Sequence, residues 1–176
     1  NSIKFYKIGK IDESITFIDK CIESDSNNPY FYELKGQIQY ENSKPLESII
    51  NFEKSLELKK NESLFKLALA KSIYNSNSRK RFNESIQLLD DYINAEDFPV
   101  EAWHFKALCY GKQKKYSLSA IALAEKFLLL NDVKNAKLQI QKANLIEKNS
   151  LEVKKKIKEL ELSVRKKEKN EKNFNN

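Results

Sequence analysis

One histidine, His104, two cysteines, Cys21 and Cys109, and a recurring serine are the groups in this 176-residue chain that could act as a base, a nucleophile or a soft metal ligand. A hydrolytic zinc site needs several His, Cys or acidic ligands at fixed spacing, such as two histidines one helical turn apart beside a glutamate. A lone histidine cannot supply that set. A serine or cysteine nucleophile needs a partner base and a strand-to-helix elbow that exposes it, and the sequence predicts no such elbow. A Gly-rich phosphate loop is also absent. Cys21 and Cys109 fall in separate predicted helices, beyond the roughly 7 Å between Cα atoms that a disulfide requires, and read as small buried hydrophobes. The chain is read as having no catalytic residue, no metal ligand and no cofactor.

The serines carry a different message. Ser14, Ser48, Ser85 and Ser119 are spaced by 34, 37 and 34 residues, within the phrases Glu13-Ser14-Ile15, Glu47-Ser48-Ile49, Glu84-Ser85-Ile86 and Ser119-Ala120-Ile121. Four residues after each serine stand Ile18, Phe52, Leu89 and Leu123, and eight after it Ile22, Leu56, Ile93 and Phe127. Three before it stand Ile11, Pro45, Phe82 and Tyr116, large or rigid residues that seat a turn between two helices. A period of about 34 residues built from two helices is the signature of the tetratricopeptide (TPR) repeat. Trp103, Ala107 and Tyr110 lie sixteen, twelve and nine residues before Ser119, the matching aromatic, small and aromatic positions of a first helix. The small residue lets the paired helices approach, and the large ones fill the gap between neighbouring pairs. With only three Gly and three Pro in the chain, long helices with short connections are expected. The predicted fold is all-α: a TPR-type helical-hairpin solenoid of about four repeats with a C-terminal capping helix.

The pattern predicts helices over 2–8, 11–24, 29–42, 45–58, 62–76, 82–95, 100–113, 117–130, 133–147 and 150–170. Pro29 and Pro99 mark helix starts. The longer spacing in the third repeat is assigned to extra polar residues between Asn75 and Arg81. Leu34 and Gly36 cannot both take their usual places, so the first helix of repeat two is expected to fit with a one-residue slip. The solenoid is placed at 1–147, the basic capping helix at 148–170 and a disordered tail at 171–176. From Lys148 onward ten Lys/Arg face five acids, which accounts for five of the chain's seven net positive charges. Because acids alternate with those lysines and aromatics are not interleaved, this end is read as a solvated helix face and not as a nucleic-acid site. No apolar run approaches the ~20 residues that span a bilayer, and the start shows no signal-peptide pattern. The opening residues read as the second half of a TPR helix ending at Gly9, so the chain is expected to be a piece of a longer one.

Stacked helix pairs present a long surface lined by their first helices, and such surfaces usually bind another polypeptide. By register, the candidate groove residues are Glu33, Gln37, Tyr40 and Glu41 of repeat two, Leu67, Lys71 and Tyr74 of repeat three, and His104, Leu108 and Lys112 of repeat four. Tyr40 and Tyr74 are favoured, since amphipathic aromatics are enriched at binding hot spots. Glu33 and Gln37 stand where chaperone-binding TPR domains place the first Lys and Asn of a carboxylate clamp, which argues against a receptor for a C-terminal carboxylate.

The stretch Asn28-Pro29-Tyr30-Phe31-Tyr32-Glu33-Leu34-Lys35-Gly36-Gln37, with Ala102-Trp103, Ala107-Leu108-Cys109-Tyr110-Gly111 and Ala122-Leu123-Ala124-Glu125, resembles the C-terminal TPR domain of BepA-like periplasmic zinc metalloproteases of alphaproteobacterial type. In that family an HExxH protease domain precedes the solenoid, which recruits outer-membrane assembly clients. The resemblance implies a periplasmic protein-interaction module attached to a zinc protease absent from this chain, with zinc held only in that missing domain. Its implied partners are outer-membrane assembly clients and the protease domain of the same protein. Read without the resemblance, the repeats describe a free-standing TPR adaptor that scaffolds a multiprotein complex.

Overall fold

A computed structural model of the chain describes residues 2–7, 9–146 and 150–174, without the side chains of 4, 5, 7 and 171–174. Among the described residues there is no strand. Ten α-helices follow one another: α1 (Ser2–Lys7), α2 (Ile11–Ser24), α3 (Pro29–Glu41), α4 (Pro45–Leu58), α5 (Ser63–Asn75), α6 (Phe82–Ala95), α7 (Val100–Lys112), α8 (Tyr116–Leu129), α9 (Val133–Asn144) and α10 (Leu151–Phe174). The fold is the expected all-α TPR-type solenoid of helical hairpins. Two compact units divide the chain, Asn1–Tyr92 and Ile93–Asn176.

In the first unit α1 pairs with α2 and α3 with α4, and α4 packs on α5. Its core joins Ile49 and Phe52 of α4 to Leu69 and Ile73 of α5, with Tyr40, Leu56, Ala68 and Leu88 against them. In the second unit α7 pairs with α8 and α8 with α9. There α10 packs on both α8 and α9 through Ile157, Leu160 and Val164, as the expected capping helix, and forms a further hairpin with α9. The expected cap spans Leu151–Phe174, four residues beyond its expected end at 170. Of the expected tail over 171–176, residues 175–176 lie outside the described residues, as do 147–149, where α9 was expected to end.

Helix ends follow local chemistry. Pro29 opens α3 while the Asn28 side chain accepts from the Tyr30 amide, and Asp132 caps α9 by accepting from the Asn135 amide at 3.0 Å. Each turn inside the first four hairpins contains one left-handed residue: Gly9 (φ 78°), Ser43 (φ 59°), Asn77 (φ 54°) and Lys114 (φ 60°). These lie five residues before Ser14, Ser48 and Ser119, and eight before Ser85. The additional three residues form the single 3₁₀ turn Arg79–Arg81, which accounts for the longer repeat. Arg81 fastens that turn by donating to Glu53 of α4 and to Glu84 of α6, both at 2.6 Å. After α3 and α7 the chain closes with a double hydrogen bond, Ser43 to Tyr40 with Lys44 to Gln39, and Lys114 to Gly111 with Lys115 to Tyr110. This is the Schellman arrangement, which satisfies helix-terminal carbonyls and requires the left-handed residue between them.

The recurring serine, fully buried at Ser14, Ser48 and Ser85 and half-buried at Ser119, gives its hydroxyl a fixed partner. Ser14 donates to the Ser2 carbonyl at 3.1 Å, Ser85 to the Ala70 carbonyl at 2.9 Å and Ser119 to the Ala107 carbonyl at 2.8 Å. Each acceptor is the small residue of the preceding helix, twelve residues back, or fifteen where the three-residue turn intervenes. Such a bond satisfies a polar group at the closest point of the helix pair, where an unpaired hydroxyl would be costly. In α4, Ser48 departs from this pattern and donates to the Pro45 carbonyl at 2.8 Å and to the Ser72 hydroxyl at 3.0 Å. The residue opposite is Gly36, where an added Cβ would stand 3.0–3.1 Å from three atoms of the Phe52 ring. Gly36 thus sits in the small-residue position, twelve before Ser48, and no one-residue slip of α3 is needed.

Candidate functional site

The side chains of interest in the first unit stand on α1, α3 and α5, the first helices of its hairpins. Tyr6, Tyr40 and Tyr74 recur at intervals of 34 residues, one on each of these helices. Each of the first two uses its hydroxyl to reach a residue 35 positions further on. Tyr6 donates to the Glu41 carboxylate, and Tyr40 accepts from Asn75 Nδ2 at 2.7 Å. The Glu41 hydrogen bond, burial and the Glu41 charge together push the ionisation of Tyr6 upward, so its hydroxyl remains a donor. Glu41 also accepts from Gln37. A second link joins α3 to α5, with Lys71 Nζ 5.5 Å from the centre of the Tyr40 ring. The result is a tyrosine column with polar cross-links, held at the helix spacing of the repeat.

Glu33 lies two turns before Tyr40 on α3 and is half-buried. Burial pushes its carboxyl above the ordinary glutamate range, and among the described residues nothing donates to it or pairs with it. Tyr74 turns its ring toward Phe82, with centres 6.3 Å apart and planes inclined at 33°. Leu67 departs from the expected exposed groove position, since it is 7 % exposed and an apolar side chain at this position packs away from water.

The nominated residues of the second unit are organised differently. Lys126 Nζ lies 3.5 Å from His104 Nδ1, and the His104 ring meets Phe105 edge-on with centres 5.9 Å apart. Burial first, and then the charge of Lys126, hold His104 below the ordinary imidazole range, against the opposing pull of Glu101. A neutral imidazole here suits the Lys126 ammonium, which can only donate. Leu108 is half-buried and Lys112 is exposed. At the tyrosine position of α7, eight residues before Ser119, stands Gly111. Lys106 instead lies over the rings of Trp103 and Tyr110, 4.9 and 5.9 Å from their centres.

Register alone thus brought Gln37, Tyr40, Glu41 and Lys71 to one face, and left Tyr6, Asn75 and Lys126 unnamed. Tyr6 was within reach of the same signal, because 34 residues separate it from Tyr40. Among the described residues no group of three or more His, Cys, Asp or Glu could hold a metal ion. No helix among them is long and apolar enough to cross a membrane.

No protein-family model and no curated protein matches the sequence. Solved structures do match in fold. A crystal structure of MamA is similar with a TM-score of 0.70 at 14% identity, over 98% of this chain and 96% of that one. MamA from Desulfovibrio magneticus RS-1, residues 41 to the end, gives 0.69 at 15% identity over 96% and 92%. PilW, described as a widely conserved type IV pilus biogenesis factor, gives 0.60 at 14% identity over 96% and 88%. A tetratricopeptide repeat protein from Parabacteroides merdae gives 0.51 at 13% identity over 90% and 68%. Likeness at these identities shows the TPR-type helical-repeat fold.

Proposed function

We propose that the first unit is a docking module for a polypeptide segment, received along the tyrosine column of α1, α3 and α5. The observation that carries this reading is the repeat of one device, a half-buried tyrosine whose hydroxyl is tied to the next first helix, at Tyr6 and at Tyr40. Tyrosines fixed in this way cost little further ordering when a partner binds, and each offers an apolar ring beside polar groups. Glu33 adds a half-buried carboxylate with no partner among the described residues, and a cationic group on the incoming segment would satisfy it. The solenoid fold is a common carrier of such surfaces, so the fold and the face agree.

Within this reading the partner setting has two versions. In one, the module recruits outer-membrane assembly clients to an attached periplasmic zinc protease, and the support for this is the sequence resemblance at Asn28 to Gln37 and around Trp103. In the other it is a free-standing adaptor that scaffolds a multiprotein complex, which needs nothing beyond the docking face. The docking reading is tested by panning a displayed peptide library against the chain with the Tyr40→Ala/Lys71→Ala variant as counter-selection. The reading expects a consensus peptide containing Lys or Arg that loses at least about tenfold in affinity for the variant, roughly the effect of one moderate hot spot, with the variant still helical and folded at the assay temperature. Peptides that bind both proteins equally would remove the site from this face.

A further inference from the structure

We propose that the outer face of α10 is a contact surface for the anionic headgroups of a lipid bilayer. In the sequence, acids alternate with bases along this helix and suggest mutual neutralisation, but the fold sorts them. Glu161 turns inward to accept from Asn144, Glu168 pairs with Lys137, and Glu159 pairs with Lys156, which is itself drawn to Glu125 of α8. Lys167 turns inward to Asn131. Left exposed are Lys154, Lys155, Lys158, Arg165, Lys166 and Lys169, none of which has a hydrogen-bond or ion-pair partner among the described residues, against only two exposed acids of this helix among residues 151–170, Glu152 and the Lys156-paired Glu159. Lys154, Lys158, Arg165 and Lys169 fall on one line with Leu162, at steps of three or four residues. At 1.5 Å per residue that line is about 22 Å long.

The form of this surface favours a bilayer over the other polyanions. It is a straight ridge along one helix, suited to a plane, and at its middle stands a single apolar side chain, Leu162, 56 % exposed. Leu162, Arg165, Lys166 and Lys169 border one shallow hollow with Glu168, whose carboxylate is paired with Lys137, and the methylene stems of the cations extend the apolar contact there. Five of the six cations are lysines, and no aromatic side chain lies among the exposed residues of 151–170 to stack on bases. The opposite face of α10, with Ile157, Leu160 and Val164, is occupied by the core, so the helix would lie on the membrane while remaining packed in its unit.

The test is co-sedimentation of the full chain with vesicles of phosphatidylserine and phosphatidylcholine in equal parts, against vesicles of phosphatidylcholine alone. Binding should require the anionic lipid and fall with rising salt. Lys158→Glu/Arg165→Glu/Lys169→Glu should lose roughly 100-fold or more in partitioning, since each cation at an anionic surface contributes about one kilocalorie per mole. Reversing Lys20, Lys60 and Lys80 instead gives the same net charge and should leave binding close to that of the unaltered chain. Leu162→Ser should weaken it severalfold with no change in charge. Circular dichroism confirms that each variant keeps its helices. No sedimentation with anionic vesicles, or equal loss in the Lys20/Lys60/Lys80 control, overturns the proposal. So does a labelled RNA or DNA duplex that binds in an α10-dependent way while vesicles do not, which would assign the ridge to nucleic acid.

Discussion

The α3–α4 hairpin of the first unit and the α7–α8 hairpin of the second solve one packing problem in two ways. In α7–α8 the close approach is made by Ala107, and Ser119 donates to its carbonyl at 2.8 Å. The residue four after that serine is Leu123. In α3–α4 the residue four after the serine is the fully buried Phe52, the approach is made by Gly36, and Ser48 finds other acceptors. The remaining hairpins carry Ser2 with Ile18 and Ala70 with Leu89 at the same positions, small with aliphatic as in α7–α8. The larger filler, Phe52, is matched by the smaller residue, Gly36, and the two share one space.

The largest test of this account removes the filler. Phe52→Ala should cost about 3–5 kcal/mol in denaturant unfolding, while Leu123→Ala, which is only half-buried, should cost clearly less. Equal losses would break the contrast between the hairpins. Next come the two helical glycines, for which opposite signs are expected. Gly36→Ala should destabilise by about 1–2 kcal/mol, because the fully buried Phe52 ring would have to shift away from the new Cβ. Gly111→Ala should stabilise by about 0.5–1 kcal/mol, since its Cβ would meet nothing closer than Ser119 Oγ at 3.8 Å and the helix gains propensity. Adding Phe52→Leu to Gly36→Ala recreates the Ala/Leu pairing of the other hairpin and should recover most of the loss. An additive double variant would show that the two residues do not share one space.

Smaller effects separate the two candidate faces by pH. The raised carboxyl of Glu33 means that its ionised form opposes folding above the ordinary glutamate range, and the cost is absent once pH falls below that range. Glu33→Gln should therefore stabilise the chain at neutral pH, by at most about 1 kcal/mol, with the gain vanishing in acid. At His104 the sign is opposite. Its lowered ionisation means that stability falls as pH drops below the ordinary imidazole value of about 6.5, because the unfolded chain takes up the proton more readily. Thermal melting from neutral to mildly acidic pH should show this decline, and Lys126→Gln should make it shallower.

Much of this architecture was legible from spacing alone. The serine period located the first four hairpins, and the few Gly and Pro residues kept the helix ends within a few residues of those found. Two features were not legible because they depend on which neighbour a side chain meets. The serine was read only as the marker of the period, whereas its hydroxyl needs a partner that only the folded hairpin brings near. Leu67 had the register of a groove residue but is buried, since register gives a direction on the helix and not what lies across from it. The charges of α10 are the clearest case. Glu159, Glu161 and Glu168 alternate with lysines in sequence, yet each is drawn toward a particular partner, and the line of Lys154, Lys158, Arg165 and Lys169 they leave carries no acid.

The docking claim is tested most directly by mapping amide chemical shifts of the labelled chain on titration with the peptide selected by panning. The account predicts that the largest shifts cluster at Glu33, Gln37, Tyr40 and Glu41 of α3 and at Lys71 and Tyr74 of α5. Shifts concentrated instead between α2 and α4, around Ile11, Ile15 and Glu47, or along α10, would contradict it.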